Sequence, residues 1–175
     1  MCSPMTETIA VAELGRIIIF SFDDMMRYHG PGSPAGVAVA FKAMQRAFDL
    51  LSPDGPPERR SIVVRTAFRG PGARDGFEAV TRAVTDGRYT ADRTLLRADR
   101  GRLLEDFVFE VGIGVGVGEA SVTLLLRDGF VTEEFIDLAR TDDRTDAEER
   151  RLDELKAQLA QRIMTTPAAD VYELS

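Results

Sequence analysis

Apolar residues recur at steps of four and three through Val37, Phe41, Met44, Phe48 and Leu51, which puts them on one face of a helix. Lys42, Gln45, Arg46 and Asp49 fall on the other side. Ser33 stands where an N-cap belongs, its side-chain oxygen taking a free amide of the first turn. Pro34 follows at the first helical position, where a missing N–H costs nothing. The pattern predicts a long helix over 34–51, closed by the loop Ser52-Pro53-Asp54-Gly55-Pro56-Pro57. Upstream, Thr8 to Phe20 is apolar and fits helix or strand, with Ile17-Ile18-Ile19 favouring strand at its end. Ser21 and Asp24 have capping-box spacing and predict a short helix from Phe22 to Tyr28.

Downstream, Ser61 to Phe68 reads as a strand with Arg65 in its middle, either an edge device or a group pointing into a site. The turn Arg69-Gly70-Pro71-Gly72 opens a helix over 73–85, with Gly87 as its stop. Leu95-Leu96, Leu104 to Val111 and Val122 to Leu126 read as strands, and Asp128-Gly129 predicts a hairpin returning through Phe130 to Leu138. Thr145 and Glu148 form a second capping box. It starts a helix with Leu152, Leu155, Leu159 and Ile163 as its buried stripe. Pro167 ends that helix before a short docking tail, so residues 145–174 form a C-terminal helix and tail, while 1–7 are expected to be disordered. Antiparallel strands with helices gathered to one side predict a single α+β domain, a two-layer sandwich.

Composition narrows the partners. The chain has 175 residues and a net charge of −7, with no basic stripe interleaved with aromatics, so nucleic acid is not an expected partner. No apolar run is long enough to span a bilayer and no signal-peptide pattern opens the chain, so no membrane is implied and the protein reads as cytoplasmic. The only cysteine, Cys2, precludes intrachain disulfides and cysteine-based metal clusters. No cofactor motif is evident. Gly112, Gly114, Gly116 and Gly118 alternate with branched residues but lack the phosphate-loop offsets, and they read as a strand that something approaches closely: the main helix, a ligand or a dimer partner.

The chemistry gathers at Tyr28-His29-Gly30-Pro31-Gly32-Ser33. His29, the only histidine, adjoins a helix start whose free N–H groups and positive dipole end suit an anion and favour a neutral, proton-accepting imidazole. Two readings stand: a satisfied structural histidine, or a proton-transfer and ligand-contact residue. A pocket between the two glycine turns would use His29 as acid/base, Tyr28 or Ser33 as hydrogen-bond donors and Arg65 or Arg69 to fix an anionic group, with Asp75 alongside. The cap role accounts for Ser33 without a nucleophile. Arg65, Arg69 and Arg74 form either an anion clamp or a solvated charge network with Asp75 and Glu78. Asp23, Asp24 or Asp75 could serve a hard metal, but their spacing is not diagnostic, and no metal is expected.

The short helix followed by Tyr28-His29-Gly30, a proline and a Gly-rich helix start resembles the FmdE-like proteins, relatives of a protein associated with formylmethanofuran dehydrogenase. Their signature reads Phe-His-Gly-His-Leu-Cys-Pro-Gly. The Asp75-Gly76-Phe77-Glu78-Ala79-Val80 stretch, Thr85-Asp86-Gly87-Arg88-Tyr89 and the Met164 to Leu174 tail are similar to later segments of that family. The resemblance implies an α+β sandwich that pairs into homodimers. It also implies a metal, usually zinc, on Cys and His. Here Pro31 stands at the second histidine and Ser33 at the cysteine, so the metal ligands are mostly gone. The expectation is a re-purposed pocket for a small molecule. It would perform metal-independent isomerisation, elimination or cyclisation in a specialised biosynthetic pathway, or hold a metabolite or partner without catalysis; a residual metal-binding member of the family is the third reading.

Overall fold

The computed structural model describes residues 7–114 and 120–175. The N-terminal apolar stretch is two strands, β1 (Thr8–Glu13) and β2 (Arg16–Ser21), paired antiparallel. Leu14 and Gly15 both take positive φ, 51° and 74°, the two-residue turn that matches strand twist. Period-two alternation then buries Ile9 and Val11 and leaves Ile17 and Ile19 exposed. Ser21 caps α1 (Phe22–His29) through the expected reciprocal bonds with Asp24.

Helix α2 (Pro34–Leu51) is the centre of the molecule. Its apolar stripe is buried from Val37 to Phe48, with Leu51 partly buried, but the burial runs nearly all round its first three turns. Lys42, expected on the polar side, has no exposed surface and donates to Glu7 Oε2 at 2.5 Å. Ser33 does occupy the N-cap, yet its side chain makes no capping bond, so that expectation is corrected. The helix is set instead by Pro34 and by packing.

The strands that follow, β3 (Ile62–Thr66), β4 (Tyr89–Ala91), β5 (Val108–Ile113), β6 (Ala120–Leu126) and β7 (Tyr172–Leu174), form one sheet in the order β4-β3-β5-β6-β7. All neighbours run antiparallel except β3 and β4. Helix α3 (Pro71–Thr81) connects β3 to β4. It stops at Arg82, which takes the left-handed conformation at φ 58°, earlier than the expected stop at Gly87. The predicted strand at Leu95-Leu96 is a 3-10 turn over Arg93–Leu95, and the strand lies earlier, in β4.

The predicted return strand from Phe130 to Leu138 is corrected as well. Thr132 Oγ accepts the Phe135 N–H at 3.2 Å and starts α4 (Glu133–Ala139), with Glu133 and Glu134 favouring the positive helix end. Asp128-Gly129 does turn the chain, but into a helix. Helix α5 (Asp146–Met164) has its capping box and buried stripe as predicted. A short helix, α6 (Ala168–Val171), leads into β7, which docks the tail on β6. Tyr172 reaches through the core to donate to the Val39 carbonyl at 2.8 Å, tying tail to central helix.

Helices thus cover one face of the five-stranded sheet, giving the expected α+β two-layer sandwich. Phe77, Phe109 and Tyr172 stack between the layers. Gly112 lies in β5, whereas Gly116 and Gly118 of the glycine-alternating stretch lie outside the described residues. Among the described residues, no helix is long and apolar enough to cross a membrane.

Candidate functional site

Helices α2 and α3 cross at their N-terminal ends with almost nothing between them. A Cβ on Gly36 would meet Ala73 N at 2.9 Å, and one on Gly72 would meet Ser33 O at 2.4 Å. The two glycine turns are therefore one structural unit, and only residues without side chains allow it. Neither N-cap residue, Ser33 or Gly70, supplies a side-chain cap, so two positive helix ends lie side by side.

A cleft of about 410 Å³ opens at this junction. Ser33, Arg69, Gly70, Pro71 and Gly72 line one side, and α4 and α5 close the other with Phe135, Ile136 and Leu152. Phe68 and Phe107 complete an apolar floor, their rings 4.7 Å apart. This volume falls within the range of small-molecule pockets.

The charged groups at the rim are Arg69, Arg140, Arg144, Lys156 and Asp106. Arg144 is held by the carbonyls of Leu138 and Thr141 and by Glu149. Lys156 Nζ donates to the Gly32 carbonyl at 3.2 Å, which anchors the first glycine turn to α5. Asp106 is engaged by Arg93 at 2.8 Å, with Arg140 3.9 Å away. Arg69 has no ion pair or hydrogen bond among the described residues. Of these cations Arg144 is paired with Glu149 and Arg140 lies within 4 Å of Glu105 and Asp106, which leaves Arg69 and Lys156 without a carboxylate partner among the described residues.

His29 is not among the residues that line this cleft. Its Nδ1 is 2.7 Å from Asp75 Oδ2, a contact between the C-terminal residue of α1 and α3 across 46 positions of sequence. The imidazole side chain is only 9% exposed. A carboxylate acceptor gives Nδ1 the donor role in this contact and leaves Nε2 as the ring nitrogen turned away from Asp75. Nε2 has no partner among the described residues. The pair has the first two members of a base-and-orienter arrangement. The sequence offers Asp75 as a substrate-binding group beside Arg65 and Arg69, or as a carboxylate for a hard metal, and not as the hydrogen-bond partner of His29.

The other sequence candidates separate. Ser33 and Arg69 both line the cleft. Tyr28 is exposed over a shallow groove with Phe20, Arg59 and Arg82, away from the cleft. Arg65 points to the opposite face of the sheet, where it bonds Asp92 at 2.6 Å and Glu110 at 2.8 Å. There the Asp92 carboxyl, bonded first by the Thr94 hydroxyl and then by Arg65, is pushed down to about 2. Arg65 thus belongs to a charge network and not to the pocket. Among the described residues no three His, Cys, Asp or Glu side chains gather as a metal ion would require.

Sequence reasoning missed Arg140, Arg144 and Lys156. They come from segments that read as a connector and a solvated helix. The one signal was Lys156, one of only two lysines in the chain.

Comparison with known proteins adds no family. No family model matches this chain, and no curated protein matches it.

Proposed function

We propose that this protein binds a small organic anion with an apolar body in the cleft between the starts of α2 and α3. One observation carries the reading: Arg69, unpaired among the described residues, stands at the mouth of an apolar-floored cleft flanked by two uncapped helix starts. A carboxylate or phosphate would satisfy the guanidinium in bidentate fashion and the helix amides with it. Its hydrocarbon part would replace water over Phe68, Phe107 and Phe135. A neutral ligand would leave the Arg69 guanidinium without a partner.

The His29–Asp75 contact favours a second reading, in which binding is the first step of acid/base chemistry of the isomerase, lyase or cyclase type. Asp75 would orient the ring and His29 Nε2 would take or return a proton on a ligand reaching out of the cleft. The resemblance to FmdE-like proteins fits this layout, since His29 and Ser33 stand at that family's histidine and cysteine. Without the thiolate the chemistry would fall to the imidazole.

Thermal unfolding with octanoate, benzoate and phenyl phosphate tests the binding reading. Each should raise Tm in wild type, by linkage, and lose most of that effect in Arg69→Gln. Equal stabilisation by benzyl alcohol contradicts it. The acid/base reading predicts deuterium uptake at the α-carbon of a bound acid in D2O, abolished in His29→Ala with binding retained.

A further inference from the structure

Building on the binding reading, we propose that α4 is a lid over the cleft, held shut by exposed ion pairs and opening as a unit to admit the ligand. The helix has little apolar anchorage of its own. Ile136 is its one buried side chain, with Phe135 partly buried beside it, and both line the cleft. The side chains that hold α4 down therefore face the cleft volume and not a closed core. A ligand in the cleft adds to their packing, so it favours the shut position.

Charge does most of the fastening. Every charged residue from Glu133 to Arg140 is paired outside the helix. Arg102 grips both Glu133 and Asp137, which stand one helical turn apart. Arg151 of α5 pairs with Glu134 at 2.5 Å, and Arg140 lies 3.6 Å from Glu105. Arg140 also donates to the Arg102 carbonyl at 3.3 Å. These contacts run to two supports: the loop before β5, whose Asp106 and Phe107 line the cleft, and α5, whose Leu152 and Lys156 line it too. Helix α4 thus straps one support to the other.

The strap is easy to loosen. The Arg102 side chain is 45% exposed, and its partners Glu133 and Asp137 are 65% and 63% exposed. Pairs this open each contribute little and are screened by salt. Buried Val131 fixes the segment at its start, and Asp143, at φ 51°, puts a left-handed bend at its end. Between these two points lie one buried side chain and a set of screened charges, the makings of a segment that opens locally well before the rest of the fold. Ionic strength therefore governs how often the cleft is open.

Hydrogen–deuterium exchange of the full chain, read by mass spectrometry, tests the lid. Peptides spanning 132–142 should exchange about 10-fold faster in 0.5 M than in 0.02 M NaCl, while peptides within α2 stay unchanged. Arg102→Gln should give most of that acceleration at low salt, and Arg102→Lys, which keeps the charge, should give less. Saturating phenylacetate, with occupancy checked by calorimetry, should slow the same peptides in wild type. Protection of 132–142 equal to that of α2, exchange indifferent to both salt and Arg102→Gln, or bound phenylacetate that leaves it unchanged would each overturn the lid. Salt-dependent opening in a chain that binds no phenylacetate would support the lid and refute the anion reading instead.

Discussion

Replacing Gly72 by alanine tests the interlocked helix starts that create the cleft. The added Cβ would stand 2.4 Å from Ser33 O, 2.9 Å from Ser33 Cβ and 3.2 Å from Val37 N. Two of these atoms are backbone, so no rotamer change relieves the contact, and the start of α2 must move. Overpacking of this kind costs about 1–3 kcal/mol. Alanine's better helix propensity returns less than about 1 kcal/mol, because the position lies in the first turn of α3. A net loss of about 2 kcal/mol results, which for a chain of 175 residues lowers Tm by about 4–8 °C. Gly32→Ala is the control: a Cβ there meets nothing within 4 Å, and the change should stay within about 0.5 kcal/mol. Gly76→Ala should fall between, since one of its two close contacts is the mobile end of Met25. Urea and thermal unfolding of the three variants measure these differences. If Gly72→Ala proves as stable as Gly32→Ala, the close crossing of α2 and α3 is wrong, and the cleft geometry with it.

Two further outcomes follow from charges held in the fold. Lys42 has no solvent exposure and depends on Glu7. Glu7→Gln, which strands the ammonium, should cost about 1–3 kcal/mol, whereas Lys42→Met should be neutral or stabilising; chemical denaturation of both separates them. Asp92, held at about 2 against an ordinary 3.8, has a depressed folded value, so its contribution is present above about 3.8 and disappears as pH falls towards 2. Glu13, Asp24 and Asp86 are lowered in the same direction by their hydrogen-bonding partners. Unfolding free energy should therefore drop between pH 4.5 and 2, and Asp92→Asn should flatten the lower part of that slope.

Local signals in the sequence were read well where they are self-contained. The capping boxes at Ser21 and Thr145, proline at the start of α2 and the stripe of α5 all depend on residues a few positions apart. Tertiary context decided the rest. Phe130 to Leu138 has enough aromatic and branched character for a strand, but Thr132 and two acids start a helix that closes the cleft. Lys42 lies on the polar side of a helical wheel, yet the hairpin and Glu7 cover it. For the site, Ser33 and Arg69 were legible because each adjoins a glycine turn. Arg140, Arg144 and Lys156 were not, because only the packing of α4 and α5 brings them to the rim. Arg65 misled for the opposite reason: strand alternation put it on the far face, beside Asp92 and Glu110.

The central claim, that the cleft recognises an anion joined to an apolar body, is tested most directly by isothermal titration of phenylacetate against its neutral isostere phenylacetamide. Wild type should bind the acid at least about 10-fold more tightly than the amide, a difference of about 1.4 kcal/mol, and Arg69→Gln should erase that preference. Equal affinity for acid and amide, or a preference that survives Arg69→Gln, would contradict the account.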